Sequence, residues 1–167
     1  TPRMNLKILF QKKLIIFFYI FLIFILDRIT KMYVIYLSEK SLGSEIFNSL
    51  FLNIFLIWNK GIAFGLLSFD QNNLYNFITV FILIIILILF VLIYKSEKLK
   101  KYSYIMITGG AIGNLFDRIM YSSVPDFIDI HFKEFHWFIF NVADIFITIG
   151  IICLIFDEIF LERKSNE

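Results

Sequence analysis

The sequence is poor in the residues that build disulfides and most metal sites. Its 167 residues include one cysteine, Cys153, and two histidines, His131 and His136. A single thiol excludes an intramolecular disulfide, and because Cys153 lies in an apolar run we expect it to be buried and inert. The two histidines lie in one loop without a matching set of ligands, so we predict no metal site.

Apolar side chains, by contrast, make up most of the chain. They account for 59% of the residues, phenylalanine alone occurs 22 times, and the mean hydropathy is +0.81. A soluble domain is about 45–50% apolar, and a soluble core of this size cannot hold the excess, so lipid must form part of the solvent. We expect one compact membrane domain over residues 4–167, with Thr1–Arg3 as an expression remnant.

Four apolar segments are long enough to cross a membrane as helices. They run over about residues 14–37, 77–94, 102–120 and 137–160. A hydrocarbon core of about 30 Å needs about 20 helical residues, and only helices or closed barrels satisfy their backbone groups in lipid. Because these runs are continuous rather than alternating, the sequence predicts an all-α membrane protein with a four-helix transmembrane bundle.

Basic residues indicate how the bundle is oriented. They cluster before the first segment, between the second and third at Lys95–Lys101, and after the fourth at Arg163 and Lys164. By the positive-inside rule, both termini and the short turn at Lys95–Lys101 face the cytoplasm. The loops over residues 38–76 and 121–136 then face outward.

The first outward loop has structure of its own. Residues 47–58 are apolar, uncharged and partly alternating, which predicts one or two strands on the outer membrane surface. The turn at Asn59–Gly65 contains small residues that let backbone approach a neighbour closely. This small β-containing region either shields the bundle or cradles a substrate.

Charged residues interrupt the first apolar segment. Asp27 and Lys31 are four positions apart, so they share a helix face and can pair. We interpret them as a structural ion pair near the outer end of the helix, with Lys31 snorkelling to the interface. A direct catalytic role for Asp27 is the alternative.

The third segment combines small and polar residues. Gly109 and Gly113 form a small-xxx-small pattern that favours close helix packing. Asn114, Asp117 and Arg118 follow on one helix face. Asp117 can pair with Arg118 or with a basic residue on another helix, which makes it a candidate structural carboxylate.

Two further aspartates flank the outward loop between the third and fourth segments. Asp126 follows the third segment and Asp144 lies near the start of the fourth, so the topology puts both at similar depth. Carboxylates within hydrogen-bond reach cannot both ionise at neutral pH, and the resulting acid and base are what an aspartic protease uses. Asn141 can orient a carboxylate or a substrate carbonyl, and Pro125 predicts an irregular segment that presents Asp126.

Five separated motifs resemble those of one known family, the bacterial lipoprotein signal peptidases, also called signal peptidase II. They occur in the family's order across most of the chain. The motifs are DRITK at Asp27–Lys31, NKGIAFG at Asn59–Gly65, GGAIGNLFDR at Gly109–Arg118, VPDFIDIHF at Val124–Phe132 and FNVAD at Phe140–Asp144.

The resemblance implies an intramembrane aspartic endopeptidase of the bacterial cytoplasmic (inner) membrane, with its active site near the outer face. Such an enzyme would remove signal peptides from prolipoproteins, cutting just before the lipobox cysteine once that cysteine carries its diacylglyceryl group. The implied partners are these signal peptides, membrane lipid and globomycin-type inhibitors. The resemblance implies no nucleic acid, no metal and no organic cofactor.

The family's functional residues carry over position by position. The catalytic pair is Asp126 and Asp144. The residues that would bind substrate or inhibitor or support the site are Asn59, Gly61, Asn114, Arg118 and Asn141, and the structural polar residues are Asp27, Lys31 and Asp117. Pro125 departs from the aliphatic residue that the family often has there. Asp117 is the rival for the first catalytic position, and we expect Asp129 to be a solvated loop residue.

Two other functions are open to such a chain. A small multi-pass transporter or assembly subunit would use intramembrane aspartates to carry protons or cations, but the charged residues here cluster near one face, and the second segment has none. An intramembrane aspartic protease of the prepilin-peptidase or presenilin kind would carry a Gly-x-Gly-Asp signature, which the sequence lacks.

Overall fold

The structure is a computed structural model that describes residues 6–42, 45–60 and 71–161. Within these ranges four α-helices precede, separate and follow the strands of one sheet. They are α1 (Leu6–Lys40), α2 (Gln71–Lys95), α3 (Lys98–Tyr121) and α4 (Val142–Phe156), the last continuing into a π-helical turn at Asp157–Leu161. The strands are β1 (Phe47–Asn48), β2 (Leu52–Asn59), β3 (Val124–Phe132) and β4 (Phe135–Phe140).

Helix α1 buries a single stripe. Ile16, Ile20, Ile23, Asp27 and Lys31 are all buried, at spacings of three and four residues, which is the periodicity of one helix face. Most of the other described side chains between Leu14 and Tyr36 are apolar and exposed. One face of the helix is therefore buried, and that face changes from apolar to charged toward the C-terminus. The opposite face is exposed and mostly apolar.

Helix α3 lies at the centre and packs against each of the other three helices. Its glycines permit this. A Cβ at Gly109 would lie 2.8 Å from the Cβ of Ile23, and one at Gly113 would lie 2.6 Å from Oδ2 of Asp27. The close packing predicted from the Gly109–Gly113 spacing is confirmed, and Gly113 leaves the room in which the Asp27 carboxylate lies.

Gly110 faces α4 and gives a test of this packing. A Cβ there would collide with the backbone carbonyl oxygen of Ala143, and a backbone atom cannot move aside as a side chain can. We expect Gly110→Ala to lower the free energy of unfolding by about 1–3 kcal/mol, measured by reversible unfolding in mixed micelles. The control is Ile119→Ala on the exposed side of the same helix, and an equal loss in both variants would contradict this account of the packing.

The four strands form one antiparallel sheet in the order β1-β2-β3-β4. The strands predicted within residues 47–58 are confirmed as β1 and β2. The all-α class is too narrow, however, because the second outward loop also folds as a hairpin, β3 and β4. The irregular segment expected around Asp126 is a β-strand, although its pairing with β2 shifts register between Ile54 and Ile57: Pro125 fits there because it follows Val124 at the start of β3.

The fourth helix begins at Val142 rather than at about Trp137. The preceding apolar residues, Phe135–Phe140, pair with β3 instead. In a chain this apolar, a strand rich in aromatic residues and a transmembrane helix have similar average hydropathy, so the average does not distinguish them. What separates them is Asn141, whose side chain caps α4 by accepting a hydrogen bond from the backbone N–H of Asp144.

Large apolar side chains point away from the bundle along its length. Examples are Phe18 at 60% exposed, Ile88 at 53% and Ile152 at 59%. Among the described residues, one helical stretch, Tyr75–Lys95, meets the length and composition needed to cross a membrane, with a mean hydropathy of 3.4. Helix α1 carries charged residues on both sides of its apolar run, Lys12 and Lys13 before it and Asp27, Arg28 and Lys31 after it, and α4 has only 15 residues.

Candidate active site

The polar interior of the bundle centres on Lys31. Its side chain is fully buried, and Nζ donates hydrogen bonds to Asp27 Oδ2 at 2.9 Å, Asp117 Oδ2 at 2.7 Å and Asn114 Oδ1 at 2.9 Å. The predicted pairing of Asp27 with Lys31 is confirmed. The predicted snorkelling of Lys31 is wrong, because α3 supplies two acceptors that satisfy the ammonium group inside the bundle.

Arg28 completes the charge balance of this cluster. Its guanidinium pairs with Asp27 at 2.9 Å and with Asp117, and it lies over the ring of Phe116, 4.9 Å from the centroid. Two buried carboxylates thus meet two buried cations. We refer to Asp27, Arg28, Lys31 and Asp117 as the charge cluster.

Asp27 also connects α1 to the start of α4. Its Oδ1 accepts a hydrogen bond from the backbone N–H of Ala143 at 3.0 Å, and both residues are fully buried. A carboxylate at the first turn of a helix satisfies a backbone donor and is favoured by the helix dipole. This hydrogen bond from α1 therefore fixes the first turn of α4, and with it the position of Asp144, which follows Ala143.

Asn114 lies between the charge cluster and Asp144. Its Oδ1 accepts from Lys31, so the amide group must present Nδ2 on the other side, and Nδ2 donates to Asp144 Oδ1 at 2.8 Å. Lys31 thereby determines which way the Asn114 amide faces. Asp117 is a member of the charge cluster, whereas Asp144 is linked to that cluster through the side chain of Asn114.

Asn141 contacts both aspartates of the predicted pair. Its side-chain Nδ2 donates to Asp126 Oδ1 at 2.6 Å, and its backbone N–H donates to Asp144 Oδ2 at 3.1 Å. Its Oδ1 meanwhile accepts from the backbone N–H of Asp144, which completes a capping box. One fully buried residue, at the junction of β4 and α4, thus brings the two carboxylates together.

Asp126 is delivered by β3 from the other side. It is 4% exposed and also accepts a hydrogen bond from Asn59 Nδ2 on β2 at 2.9 Å. Burial raises the pKa of the Asp126 carboxyl above its usual range; the hydrogen bonds from Asn59 and Asn141 oppose that rise, and the charge of Asp144 adds to it. This carboxyl therefore holds its proton to higher pH than an exposed aspartate does.

Arg118 lies beside the pair. Its Nη1 donates to the backbone carbonyl of Asn114 at 3.2 Å, and its own carbonyl accepts from the Tyr75 hydroxyl on α2 at 2.8 Å. Its Nε is buried and, among the described residues, has no hydrogen-bond partner. A guanidinium donor is thus left over within the interior.

Two predictions about the loops have different outcomes. Gly61 lies outside the described residues, so its predicted role stays a prediction. Asp129, expected to be solvated, is 1% exposed, because β2 and β4 cover it from both sides. Within residues 6–42, 45–60 and 71–161 no group of three or more His, Cys, Asp or Glu side chains has the geometry to hold a metal ion.

Some residues of the site carry a signal too weak for sequence reasoning. Arg28 lies inside the DRITK motif, and its charge beside Asp27 was the available clue to a second cation. Tyr75 comes at the start of an apolar segment and gives no signal. Ala143 takes part through its backbone N–H, and an argument from side-chain chemistry cannot identify such a donor.

An apolar cleft of about 300 Å³ opens beside Asp144. One wall is the outward face of α4, with Ile145, Thr148 and Ile149, and the other is formed by strands β3 and β4. The strand residues are Ile130, Trp137, Phe138 and Phe140. Among the lining residues that the structure describes, Asp144 is thus the one charged residue in a cleft that is otherwise apolar apart from Thr148.

Comparison with known proteins gives one consistent family. The family model described as "Signal peptidase (SPase) II" matches residues 19–160. The lipoprotein signal peptidase of Pelagibacter ubique (strain HTCC1062) is 49% identical over 166 residues, covering 99% of this chain and 98% of that protein. The lipoprotein signal peptidase of Anaplasma marginale (strain Florida) is 39% identical over 148 residues, covering 87% and 85%.

Solved structures agree with the sequence relatives. A bacterial membrane enzyme solved by the in meso method at 1.9 Å resolution superposes with a TM-score of 0.70 at 29% identity, covering 87% of this chain and 92% of that one. A second, at 2.3 Å, gives a TM-score of 0.66 at the same 29% identity. The fold, the five motifs and these matches together place the chain in the signal peptidase II family.

Proposed function

We propose that this chain is an aspartic endopeptidase that removes signal peptides from lipid-modified prolipoproteins, with Asp126 and Asp144 as its catalytic pair. The observation that carries the proposal is the double contact of Asn141, 2.6 Å to Asp126 and 3.1 Å to Asp144. Both carboxylates are thereby hydrogen-bonded to the same residue, while Asp117 belongs to the charge cluster.

The chemistry follows from a proton held by the pair. One carboxylate, acting as base, takes a proton from water, whose oxygen attacks the scissile carbonyl carbon; the other carboxyl gives its proton to the carbonyl oxygen. The tetrahedral intermediate collapses when the first carboxyl, now protonated, gives its proton to the amide nitrogen and the C–N bond breaks. The other carboxylate takes a proton from a hydroxyl of the intermediate, which restores the pair. Burial raises the pKa of Asp126, which favours retention of the proton that the pair shares.

The neighbouring amides and guanidinium would hold the pair and the substrate. Asn59 and Asn141 donate to Asp126, and Asn114 donates to Asp144, which fixes the direction of each carboxylate. We assign the unpaired Nε of Arg118 to a backbone carbonyl of the substrate. A peptide bond entering between the pair would then find donors already in place.

The cleft beside Asp144 supports a lipidated substrate. Its walls are mostly apolar and aromatic, and Asp144 is among its lining residues, so a chain lying in the cleft would be next to one member of the catalytic pair. A diacylglyceryl cysteine next to the scissile bond carries such a chain. We therefore place one acyl chain of the substrate in the cleft.

Filling the cleft should weaken binding of the lipidated substrate. We expect Thr148→Trp to raise KM about tenfold, the cost of one poorly accommodated apolar group, with a smaller change in kcat. The control is Leu22→Trp, in a separate groove of about 260 Å³ that is lined mainly by α1 and α3 and shares no lining residue with the cleft. A KM raised equally by both substitutions would contradict a specific acyl site.

The same proposal includes a place in the cell. We propose four membrane spans formed by α1 to α4, both termini in the cytoplasm, and the sheet and catalytic pair near the outer face of the bacterial inner membrane. The exposed apolar exterior of the helices and the basic residues flanking them support this orientation. Cysteine substitution at Lys98 and at Lys133, labelled from one side of intact cells, would test it.

The direct test uses purified protein and a defined substrate. We expect a diacylglyceryl-modified prolipoprotein to be cut just before its lipid-bearing cysteine, as shown by a mobility shift and the mass of the released peptide, and globomycin to block the reaction. The unmodified precursor is the control and should remain intact. Absence of cleavage, together with aspartate-dependent ion flux in liposomes, would instead support the transporter alternative.

The pH profile gives a further prediction. The hydrogen bond from Asn59 lowers the pKa of Asp126, so Asn59→Leu raises that pKa further and the pair keeps its proton to higher pH. We expect the alkaline limb of kcat/KM to move to higher pH. Asn48→Leu on β1, whose amide donates to the exposed Glu45 instead, should leave the midpoint of that limb in place; a downward shift in Asn59→Leu would contradict the assignment.

A further inference from the structure

We propose that Asp129 is a positioning residue that holds three strands in the register that Asp126 requires. The inference rests on the proposed function, because its effect is measured on the proposed catalytic pair. It concerns a buried carboxylate that does not contact that pair. We call Asn53, Asp129 and His136 the strand clamp.

The strand clamp joins β2, β3 and β4 at one oxygen atom. Asp129 Oδ2 accepts a hydrogen bond from Asn53 Nδ2 at 3.2 Å and one from His136 Nδ1 at 2.8 Å. Asp129 is 1% exposed and Asn53 is 6% exposed. A carboxylate buried this far from water depends on these donors for its stability, so the three strands are fixed to one another at this point.

The strand clamp lies where the backbone pairing is irregular on both sides of β3. Between β2 and β3 the register shifts between Ile54 and Ile57, and Asp126 is paired with Ile57, just past the shift. Between β3 and β4 the register shifts between Asp129 and His131. Backbone ladders with such shifts specify register less firmly, and a side-chain contact has to supply what the ladder lacks.

Register decides where Asp126 points. Asp126 and Asp129 are three positions apart in β3, so their side chains project from opposite faces of the sheet. A slip of β3 by one residue would turn Asp126 away from Asn59 and Asn141 and expose it on the clamp's face. Asp129 therefore acts on the catalytic pair through the backbone of β3 and not by contact.

Histidine side chains extend the strand clamp toward β1. His131 stacks on His136 with ring centroids 5.0 Å apart, and its Nε2 lies 3.1 Å from the carbonyl oxygen of Ser49 and 3.2 Å from Asn53 Oδ1. Because both neighbours are acceptors, Nε2 carries the proton. The turn between β1 and β2 is thus tied to the same cluster.

The test compares removal of the acceptor with its conservative replacement. Asp129→Leu removes the oxygen that accepts both hydrogen bonds, and we expect kcat to fall about 10- to 100-fold, the range that a displacement of about 1 Å can cost, with KM unchanged. Asp129→Asn keeps one amide oxygen that can accept from both donors, and it should restore most of kcat. His136→Phe and His136→Asn form a second pair with the same expected contrast.

Each rate is divided by the fraction of folded enzyme, measured by unfolding in mixed micelles under the assay conditions. A kcat that falls only in proportion to the folded fraction, a Leu variant as active as wild type, or an Asn variant no better than Leu would each overturn the positioning role. Failure of the wild-type enzyme to cut the lipidated precursor would overturn the proposed function instead. The two failures are therefore distinguishable.

Discussion

Asp126→Asn and Asp144→Asn are each expected to reduce turnover of a lipidated precursor by about 10³-fold or more, because general acid–base catalysis of this kind contributes about 10²–10⁴-fold. Asparagine has the shape of aspartate but neither accepts nor releases a proton near neutral pH. The measurement is kcat by product mass with purified enzyme in lipid.

Neither substitution should disturb the fold. An asparagine at position 126 keeps one oxygen, for Asn59 or Asn141, and one at 144 keeps one, for Asn114 or the backbone N–H of Asn141, so each variant loses one hydrogen bond of two. One lost hydrogen bond costs about 1 kcal/mol, so unfolding midpoints should stay within a few degrees of the wild type. Loss of activity accompanied by loss of the folded state would leave the assignment of the pair without support.

Two further aspartates serve as matched controls. Asp117→Asn disturbs the charge cluster and should lower stability, but the folded fraction should keep its activity. Asp157→Asn, beyond the far end of α4 and 3.9 Å from Lys100, should change neither. Turnover abolished in folded Asp117→Asn and retained in Asp126→Asn would transfer the catalytic role to Asp117.

Lys31→Met is expected to produce the largest loss of stability. Lys31 is fully buried and donates to Asp27, Asp117 and Asn114; without it, two buried carboxylates are left with Arg28 alone. Removing one partner of a buried ion pair costs about 3–5 kcal/mol, measured as the free energy of unfolding in mixed micelles. Lys100→Met, which breaks a pair with the exposed Glu158, should cost less than about 1 kcal/mol.

Charge balance explains the loss, and a second substitution tests that explanation. Adding Asp117→Asn to Lys31→Met makes the cluster neutral again, so the double variant should be more stable than Lys31→Met alone. If the two losses simply add, the destabilisation comes from packing and not from unpaired charge.

Lys31→Met should also lower the turnover rate, because Lys31 orients a side chain that contacts the catalytic pair. Lys31 holds Asn114 Oδ1, and that contact turns Nδ2 toward Asp144. Without the ammonium group, the amide of Asn114 is free to rotate and Asp144 loses its oriented donor. The folded fraction of Lys31→Met should therefore turn over more slowly than folded wild type.

Sequence reasoning reached the helices, the packing glycines and the candidate residues, because each left a local mark. The helices are visible as long apolar runs, and Gly109 and Gly113 are visible as small residues four positions apart. The site residues stand out as polar groups in a mostly apolar chain. Their convergence was also predictable in outline, since topology placed Asp126 and Asp144 at the same side of the bundle.

What the sequence could not supply depends on contacts between distant segments. Lys31 was expected to snorkel because nothing in α1 reveals that α3 offers it Asp117 and Asn114. Asp129 was expected to be solvated because its cover, Asn53 and His136, comes from two other strands. In both cases a charged group is buried because partners far along the chain satisfy it.

The boundary between β4 and α4 was missed for a different reason. Phe135–Phe140 and α4 are similarly apolar, so average hydropathy runs through the junction without a break. The signal is a single residue, Asn141, whose capping geometry starts the helix. That residue also contacts both members of the pair, which no spacing rule would have disclosed.

The most direct test of the central claim is the single-turnover rate of the double variant Asp126→Asn/Asp144→Asn beside the two single variants, on one diacylglyceryl-modified prolipoprotein. If the two carboxylates act as a unit, the double variant is no slower than either single variant, since each alone already disables the pair. Losses that multiply, or a single variant that cuts as fast as the wild type, would contradict it.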